Sequence, residues 1–148
     1  MSDSAKPFAH QAGKIITIAR TIDAPRAKVF QAWTEAAMIV HWYSAGNGWT
    51  TPFAESDPRP GGAFRIGFQS PDRKNDFVFE GRYDAIDPPN GLAFTSADGR
   101  VMRVHLREAG GKTQLAFDLT LETTFSEEQQ RQGWGTIVDN LARYLGGT

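Results

Sequence analysis

Apolar and polar side chains alternate along a series of short segments between residues 63 and 122, and turn sequences separate these segments. In the segment 63–69, for example, Phe64, Ile66 and Phe68 share one face. A period of two is typical of a strand that buries one side. Only the segment that begins at Ser126 has a long run of apolar residues at helical spacing. Such a chain can bury its apolar faces by wrapping an antiparallel sheet around that one helix.

The alternation predicts about seven strands, and short turns link several of them as hairpins. Asp98-Gly99 is a strong two-residue hairpin signal, and Gly110-Gly111 is a second one. The predicted strands cover Lys14 to Ile22, Trp49 to Glu55, Ala63 to Gln69, residues 77–84, Leu92 to Ala97, Val101 to Arg107 and Thr113 to Glu122.

Two short helices are predicted after the first strand, from Pro25 to Trp33 and from Glu35 to Trp42. The last helix begins after Ser126, where Gln129 completes a capping box, and ends at Gly146-Gly147. The fold class is therefore α+β, with a curved antiparallel sheet around a long C-terminal helix and the short helices closing one end. We expect a flexible tail over residues 1–13 and a single domain over residues 14–146.

Composition excludes several classes of function. The formal net charge is -1, so no broad positive field favours nucleic acid. The cysteine count is 0, which excludes disulfides, thiolate metal sites and a cysteine nucleophile. No apolar run is long enough to span a membrane, and the first residues lack the apolar core of a secretory signal, so we expect a cytoplasmic protein without membrane insertion.

Several segments, taken in order, resemble the activator-of-Hsp90-ATPase-homologue branch of the START-like (helix-grip, SRPBCC) superfamily. These segments are Asp23-Ala24-Pro25, residues 29–34, Arg59-Pro60-Gly61-Gly62 with residues 64–66, Gly81-Arg82-Tyr83, residues 87–89 and 92–95, residues 111–113, and Gly133-Trp134 with residues 141–145. The resemblance covers residues 14–145. It implies a helix-grip fold with a cavity between the sheet and the long helix. The superfamily includes lipid carriers, hormone receptors, polyketide cyclases and, in a eukaryotic branch, a co-chaperone.

Aromatic residues are numerous, with Phe 10, Trp 4 and Tyr 3. Large rings can fill a core or line a ligand cavity, and the sequence leaves both alternatives open. If a cavity is present, the side chains expected to line it are Trp33, Met38, His41, Trp42, Trp49, Phe64, Ile66, Phe68, Phe77, Phe79, Tyr83, Phe94, Met102, Phe117, Trp134, Ile137 and Leu141.

His41 is the strongest polar candidate, because it lies beside Trp42 at the predicted mouth of the cavity. A neutral imidazole there could hydrogen-bond a ligand or act as a base, and the alternative is an exposed histidine at a helix end. Arg20 lies on the apolar face of the first strand, where it either pairs with a carboxylate at the sheet edge or points into a polar part of the cavity. The histidines have no metal-site spacing, and no cofactor motif is present, so neither a metal nor a cofactor is expected.

The residues and the resemblance together favour a module that binds a small hydrophobic or amphipathic molecule. An Hsp90-type co-chaperone or other protein-interaction domain is the first alternative. A cyclase- or hydratase-like enzyme that uses His41 or Tyr83 as acid or base is the second. Exposed sheet edges would also allow a homodimer.

Overall fold

A computed structural model of the chain describes residues 8–146. The strands are β1 (Ile15–Ile22), β2 (Ala54–Ser56), β3 (Ala63–Phe68), β4 (Phe77–Asp87), β5 (Gly91–Ser96), β6 (Val101–Ala109) and β7 (Lys112–Thr120). The helices are α1 (Arg26–Thr34), α2 (Ala36–Ile39) and α3 (Glu127–Gly146), with a short 3-10 helix at Ala9–Gln11. This is the α+β helix-grip architecture that the sequence predicts. Within residues 8–146, none of the helices has the length and apolar character that crossing a membrane requires.

The seven strands form one antiparallel sheet in the order β1-β7-β6-β5-β4-β3-β2. Strands β2 to β7 are neighbours in chain order, as hairpin connections require. At the β6–β7 turn, Gly110 and Gly111 have φ values of 59° and 81°, the left-handed region that such a tight hairpin needs. Strands β1 and β2 are the two edges, and pairing of two copies through an edge stays a prediction.

Helix α3 lies across the inner face of the sheet and buries Ile137, Val138 and Leu141. Its predicted capping box is confirmed: the Gln129 backbone N–H donates to Ser126 Oγ at 3.1 Å, and the Ser126 backbone N–H donates to Gln129 Oε1 at 2.9 Å. The box fixes the position at which the helix begins. That position decides which side chains of the first helical turns face the sheet.

An ion pair between Arg20 and Asp139 decides between the two directions that the sequence left open for the Arg20 side chain. The Arg20 Nε donates to Asp139 Oδ1 of α3 at 2.7 Å, and the Arg20 side chain is 39% exposed. Arg20 therefore pairs with a carboxylate at the sheet edge, and it does not point into an internal cavity. Because both side chains reach water, the pair adds little to stability, about 1 kcal/mol or less.

Two predicted elements are shorter than expected. The strand predicted from Trp49 to Glu55 contains an isolated bridge between Thr50 and Gln69, and regular pairing begins only at Ala54. Pro52 lies between these two places, and it has no N–H to donate to a neighbouring strand. The helix predicted from Glu35 to Trp42 ends at Ile39 and continues as a turn.

Residues 8–13, the described part of the predicted tail, make contacts with the loop that follows β7. Gln11 is buried, and its side-chain amide donates to the backbone oxygen of Glu122 at 2.8 Å. The Phe8 backbone N–H donates to the Thr123 oxygen at 3.1 Å. These bonds join residues 8–13 to the loop that follows β7, which is why the segment packs. Residues 1–7 of the predicted tail and Gly147 of the predicted helix stop lie outside the described residues.

Candidate functional site

An open groove of about 400 Å³ lies between the first half of α3 and one end of the sheet. Because the strands are antiparallel, the end of β3, the start of β4, the β5–β6 turn and the end of β7 meet at this end. The residues that line the groove are Ala45, Phe68, Phe77, Phe79, Arg100, Glu122, Phe125, Gln129, Gln130, Gly133, Trp134 and Ile137. Its volume lies in the range of small-molecule sites, about 300–1,000 Å³.

Trp134 of α3 forms a fixed wall of the groove. The Trp134 ring centroid lies 5.5 Å from that of Phe79 and 5.3 Å from that of Phe117, both at steep angles. The Tyr43 ring is 6.1 Å away on a third side. Edge-to-face contacts of this kind hold a ring in one orientation. The wall is therefore formed before any ligand arrives.

Two phenylalanines at the groove remain largely open to water. Phe77 is 50% exposed and Phe125 is 54% exposed. Phe77 is also stacked on Phe68, with ring centroids 4.6 Å apart and an interplanar angle of 6°. Large apolar side chains that lie open beside an apolar groove mark a surface that a ligand can cover.

Gln130 fixes the loop that carries Glu122 and Phe125. The Gln130 side chain is buried, its Oε1 accepts from the Glu122 backbone N–H at 3.0 Å, and its Nε2 donates to the Phe125 oxygen at 2.8 Å. Gln11 holds the same loop from the other side, because its amide also donates to the Glu122 and Phe125 oxygens. This rim of the groove is therefore ordered by side-chain amides and does not depend on a ligand.

Arg100 and Glu122 are the ionisable side chains of the groove among the described residues. The Arg100 Nε donates to Asp98 Oδ2 at 2.8 Å, and the Glu122 Oε1 accepts from the Phe125 backbone N–H at 2.6 Å. The groove offers apolar surface with a few polar contacts, an arrangement suited to binding. Within residues 8–146, no group of three or more His, Asp or Glu side chains is arranged to hold a metal ion.

The deeper space between sheet and helix is almost filled. A cavity of about 10 Å³ remains there, lined by Trp33, Ile39, Tyr43, Phe64, Ile66, Tyr83, Leu92 and Phe94. This is room for one water molecule at most. The Trp33 Nε1 is buried and makes no hydrogen bond with any of residues 8–146. Aromatic rings therefore fill the centre of the fold, and the groove towards the start of α3 is the larger of these two spaces between sheet and helix.

Two buried tyrosines face this small cavity, and each has a raised pKa. The Ser56 Oγ donates to the Thr34 oxygen at 2.6 Å, so the Tyr83 hydroxyl is the donor in its 2.7 Å bond to Ser56 Oγ. Burial raises the pKa of Tyr83, and the bond to Ser56 opposes this. Burial raises the pKa of Tyr43 far above its usual range, Tyr83 raises it further, and the positive charge of Arg100 lowers it.

Tyr43→Phe is expected to make the fold less sensitive to alkaline pH. The raised pKa of Tyr43 favours the native state below pH 10.0, the usual tyrosine pKa, and this advantage is lost as the pH rises further, because only the unfolded chain releases the proton. The loss is about 1.4 kcal/mol per pH unit. Urea unfolding at neutral pH and at about pH 11 measures it, and the variant should lose less free energy of unfolding between the two. Tyr144→Phe, at an exposed tyrosine, is the control, and an equal loss in Tyr43→Phe and the unchanged chain would contradict the assignment.

The structure divides the residues predicted to line a cavity into three groups. Phe68, Phe77, Phe79, Trp134 and Ile137 line the groove. Trp33, Phe64, Ile66, Tyr83 and Phe94 surround the small central cavity. The third group lines neither space. Its buried members lie in the core and are Trp42, Met102, Phe117 and Leu141, and its half-buried members pack against the core and are Met38 and Trp49. The Trp42 Nε1 donates to the Ala32 oxygen at 3.0 Å. At the buried positions of this third group, neighbouring side chains fill the space.

His41 also lies outside the groove. It is exposed, and its ring stacks on that of Tyr144 with centroids 5.4 Å apart. It borders a shallow, open depression with Ser44, Asn140 and Arg143. Tyr83, the other proposed acid or base, is bonded to Ser56 in the core. The structure therefore does not bring His41 and Tyr83 together in one pocket.

A second concave surface lies on the outer face of the sheet, and its polar side chains are already paired. Arg65 donates to Glu80 at 3.1 Å, and Thr95 donates to Asp84 at 2.6 Å. The Arg82 Nη1 donates to the Gly61 oxygen at 3.0 Å. With these groups bound to one another in open solvent, this surface is a weaker candidate than the groove.

Sequence reasoning missed seven lining residues, namely Ala45, Arg100, Glu122, Phe125, Gln129, Gln130 and Gly133. The sequence did indicate the direction of Arg100. It is separated from Met102 by one residue and from Val104 by three, and side chains at this spacing share the inner face of a strand. The sequence of α3 also contained information about the lining. Gln129, Gly133 and Ile137 are four residues apart and therefore share one face of the helix. Glu122 and Phe125 lie in a loop that shows no periodicity.

Comparisons with known proteins agree with this architecture. The family model described as Activator of Hsp90 ATPase homolog 1-like protein matches residues 23–146. An AHSA1-like protein from Aeromonas hydrophila is similar, with 28% sequence identity, a TM-score of 0.80, and coverage of 89% of this chain and 93% of that chain. Chr148 from Cytophaga hutchinsonii has 30% identity and a TM-score of 0.76, and the match covers 89% of this chain and 92% of that one.

Protein CV1439 from Chromobacterium violaceum has the same fold at lower identity. It is 21% identical, with a TM-score of 0.81 over 89% of this chain and 97% of that chain. No curated protein matches the chain. The agreement therefore concerns family and fold, and the choice of a function depends on the groove.

Proposed function

Because the chain belongs to the Activator of Hsp90 ATPase homolog 1-like family and has an open groove between its sheet and its last helix, we propose that it binds a small hydrophobic or amphipathic molecule in that groove. The family and the fold are consistent with a ligand-binding or a chaperone-related domain. The groove is the observation that favours ligand binding.

The chemistry of the lining supports an apolar ligand. Phe68, Phe79, Trp134 and Ile137 form apolar walls, and Phe77 and Phe125 lie open to water at the same groove. Covering the exposed half of each phenylalanine contributes on the order of 1 kcal/mol. The polar groups are few, as in sites where apolar area supplies affinity and single contacts set orientation.

The groove fits a small molecule better than a protein partner. A stable protein interface buries about 1,200–2,000 Å² in total, and it needs a broad exposed apolar surface. The other large exposed apolar side chains of residues 8–146 are Ile15, Val78, Val101 and Tyr144. Ile15 is on edge strand β1 and Tyr144 is near the end of α3, so these two residues do not form one surface with the groove. Val78 and Val101 alternate with the inward-facing Phe79 and Met102 on their strands, so their side chains belong to the outer face of the sheet.

Native mass spectrometry of the purified chain tests the proposal. We expect one small molecule per chain, either carried through purification or added as decanoic acid, and the acid should raise the melting temperature. Stabilisation should approach about 2.7 kcal/mol when the free acid is at 100 times its dissociation constant. An empty chain that decanoic acid, sterols and aromatic acids all fail to stabilise would contradict the proposal and favour a protein partner.

A further inference from the structure

Arg100 brings a positive charge to the apolar groove. It follows the Asp98-Gly99 turn and lines the groove beside Phe79 and Trp134. Its side chain is 19% exposed. The inward direction of the guanidinium has a second indication, since its charge lowers the pKa of the buried Tyr43 hydroxyl against the effect of burial. A cation thus faces the space between sheet and helix.

The hydrogen-bonding capacity of this guanidinium is only partly used. Its Nε donates to Asp98 Oδ2 at 2.8 Å. Within residues 8–146, neither terminal nitrogen of Arg100 donates to a protein acceptor. Glu122, the carboxylate that also lines the groove, forms no ion pair with Arg100 in that part of the chain and accepts from the Phe125 backbone instead. Because the groove is open, water can reach these nitrogens. An apolar ligand that displaced this water would leave the donors without acceptors, so an acceptor on the ligand would be favoured.

The geometry points to a ligand class: we propose that the groove binds a carboxylic acid with an apolar chain or ring, whose carboxylate is held by the terminal nitrogens of Arg100. A guanidinium presents parallel N–H groups that match the two oxygens of a carboxylate. The apolar part then lies against Phe79 and Trp134 and covers Phe77. This inference rests on the proposed function, because it assigns the head group of the molecule that the groove holds.

Two probes with the same alkyl chain test the head group. Decanoic acid and decan-1-ol are titrated by calorimetry at neutral pH into the unchanged chain, Arg100→Gln, Arg100→Lys and Arg103→Gln. Arg103 is the matched control, since it is exposed on the other face of β6. The unchanged chain and Arg103→Gln should bind the acid about tenfold or more tightly than the alcohol. Arg100→Gln should lose this preference, so that its affinities for the acid and the alcohol become similar, and Arg100→Lys, which keeps the charge without the planar fork, should keep part of it.

The outcomes separate this inference from the proposed function. If acid and alcohol bind the unchanged chain equally, or if Arg100→Gln keeps the full preference, the carboxylate assignment is overturned and the groove still binds apolar molecules. If neither probe binds, the carboxylate assignment fails, and the proposed function fails with it only when sterols and aromatic acids also leave the melting temperature unchanged. The comparison of acid with alcohol on the unchanged chain needs no variant, so a variant that fails to fold does not remove the test.

Discussion

Gly133→Phe is expected to weaken the binding of decanoic acid about tenfold or more, a loss of at least 1.4 kcal/mol, without unfolding the protein. Gly133 lies on α3 and lines the groove, and a Cβ at this position would have no atom within 4 Å apart from its chain neighbours and the nearby backbone of its own helix. A phenyl ring there enters the space that the ligand needs. The helix itself should not lose stability, since glycine is about 1 kcal/mol less favourable than alanine inside a helix and phenylalanine ranks between the two.

Calorimetric titration with decanoic acid measures this loss, and circular dichroism melts verify the fold. Gln132→Phe is the matched control, because it adds the same ring to the adjacent exposed position of α3, outside the groove lining. The control should bind the acid as the unchanged chain does. Full affinity in a folded Gly133→Phe would mean that the ligand lies elsewhere.

Phe117→Ala is expected to lower the free energy of unfolding by about 3–5 kcal/mol, a large share of the stability of a domain this size. Phe117 is 0% exposed. Its ring centroid lies 5.4 Å from that of Trp33 and 5.3 Å from that of Trp134, so it joins the filled centre of the fold to the wall of the groove. Removing the ring leaves a cavity between sheet and helix that the neighbouring rings cannot close.

Urea unfolding followed by far-ultraviolet circular dichroism measures this change. Phe125→Ala removes the same ring at a position that is 54% exposed, and it should cost less than about 1 kcal/mol. A small loss at Phe117, similar to that at Phe125, would contradict the conclusion that aromatic rings close-pack the centre of the fold.

Most of the architecture could be predicted from local patterns. The alternation around Phe64 and Phe117 identified strands, and the Gly110-Gly111 turn with its positive φ angles fixed one hairpin. The capping box at Ser126 located the start of α3 to within a residue. These features depend on residues close in sequence, so a single sequence contains the information. The edge strand β2 was overestimated because Pro52 interrupts pairing, an effect that alternation does not show.

The site was less predictable, because it depends on distances between residues far apart in sequence. Whether Trp33 or Trp134 faces open space depends on the summed volume of the rings between sheet and helix. The alternation of apolar residues predicts the face to which a side chain points, and it does not predict how much space remains there. Gln11 fixes the groove rim from 111 residues away, which no local pattern indicates. Arg100 was the avoidable omission, since its parity with Met102 already placed it on the inner face.

The indole N–H signals of the four tryptophans test the central claim most directly. Trp134 lines the groove, whereas Trp42 is buried with its Nε1 bonded to the Ala32 oxygen. In heteronuclear NMR spectra recorded during a titration with decanoic acid, we predict a saturable shift of the Trp134 signal and an unchanged Trp42 signal. A Trp134 signal that stays in place while the protein binds the acid, or a titration in which no indole signal moves, would contradict a ligand site between the sheet and the last helix.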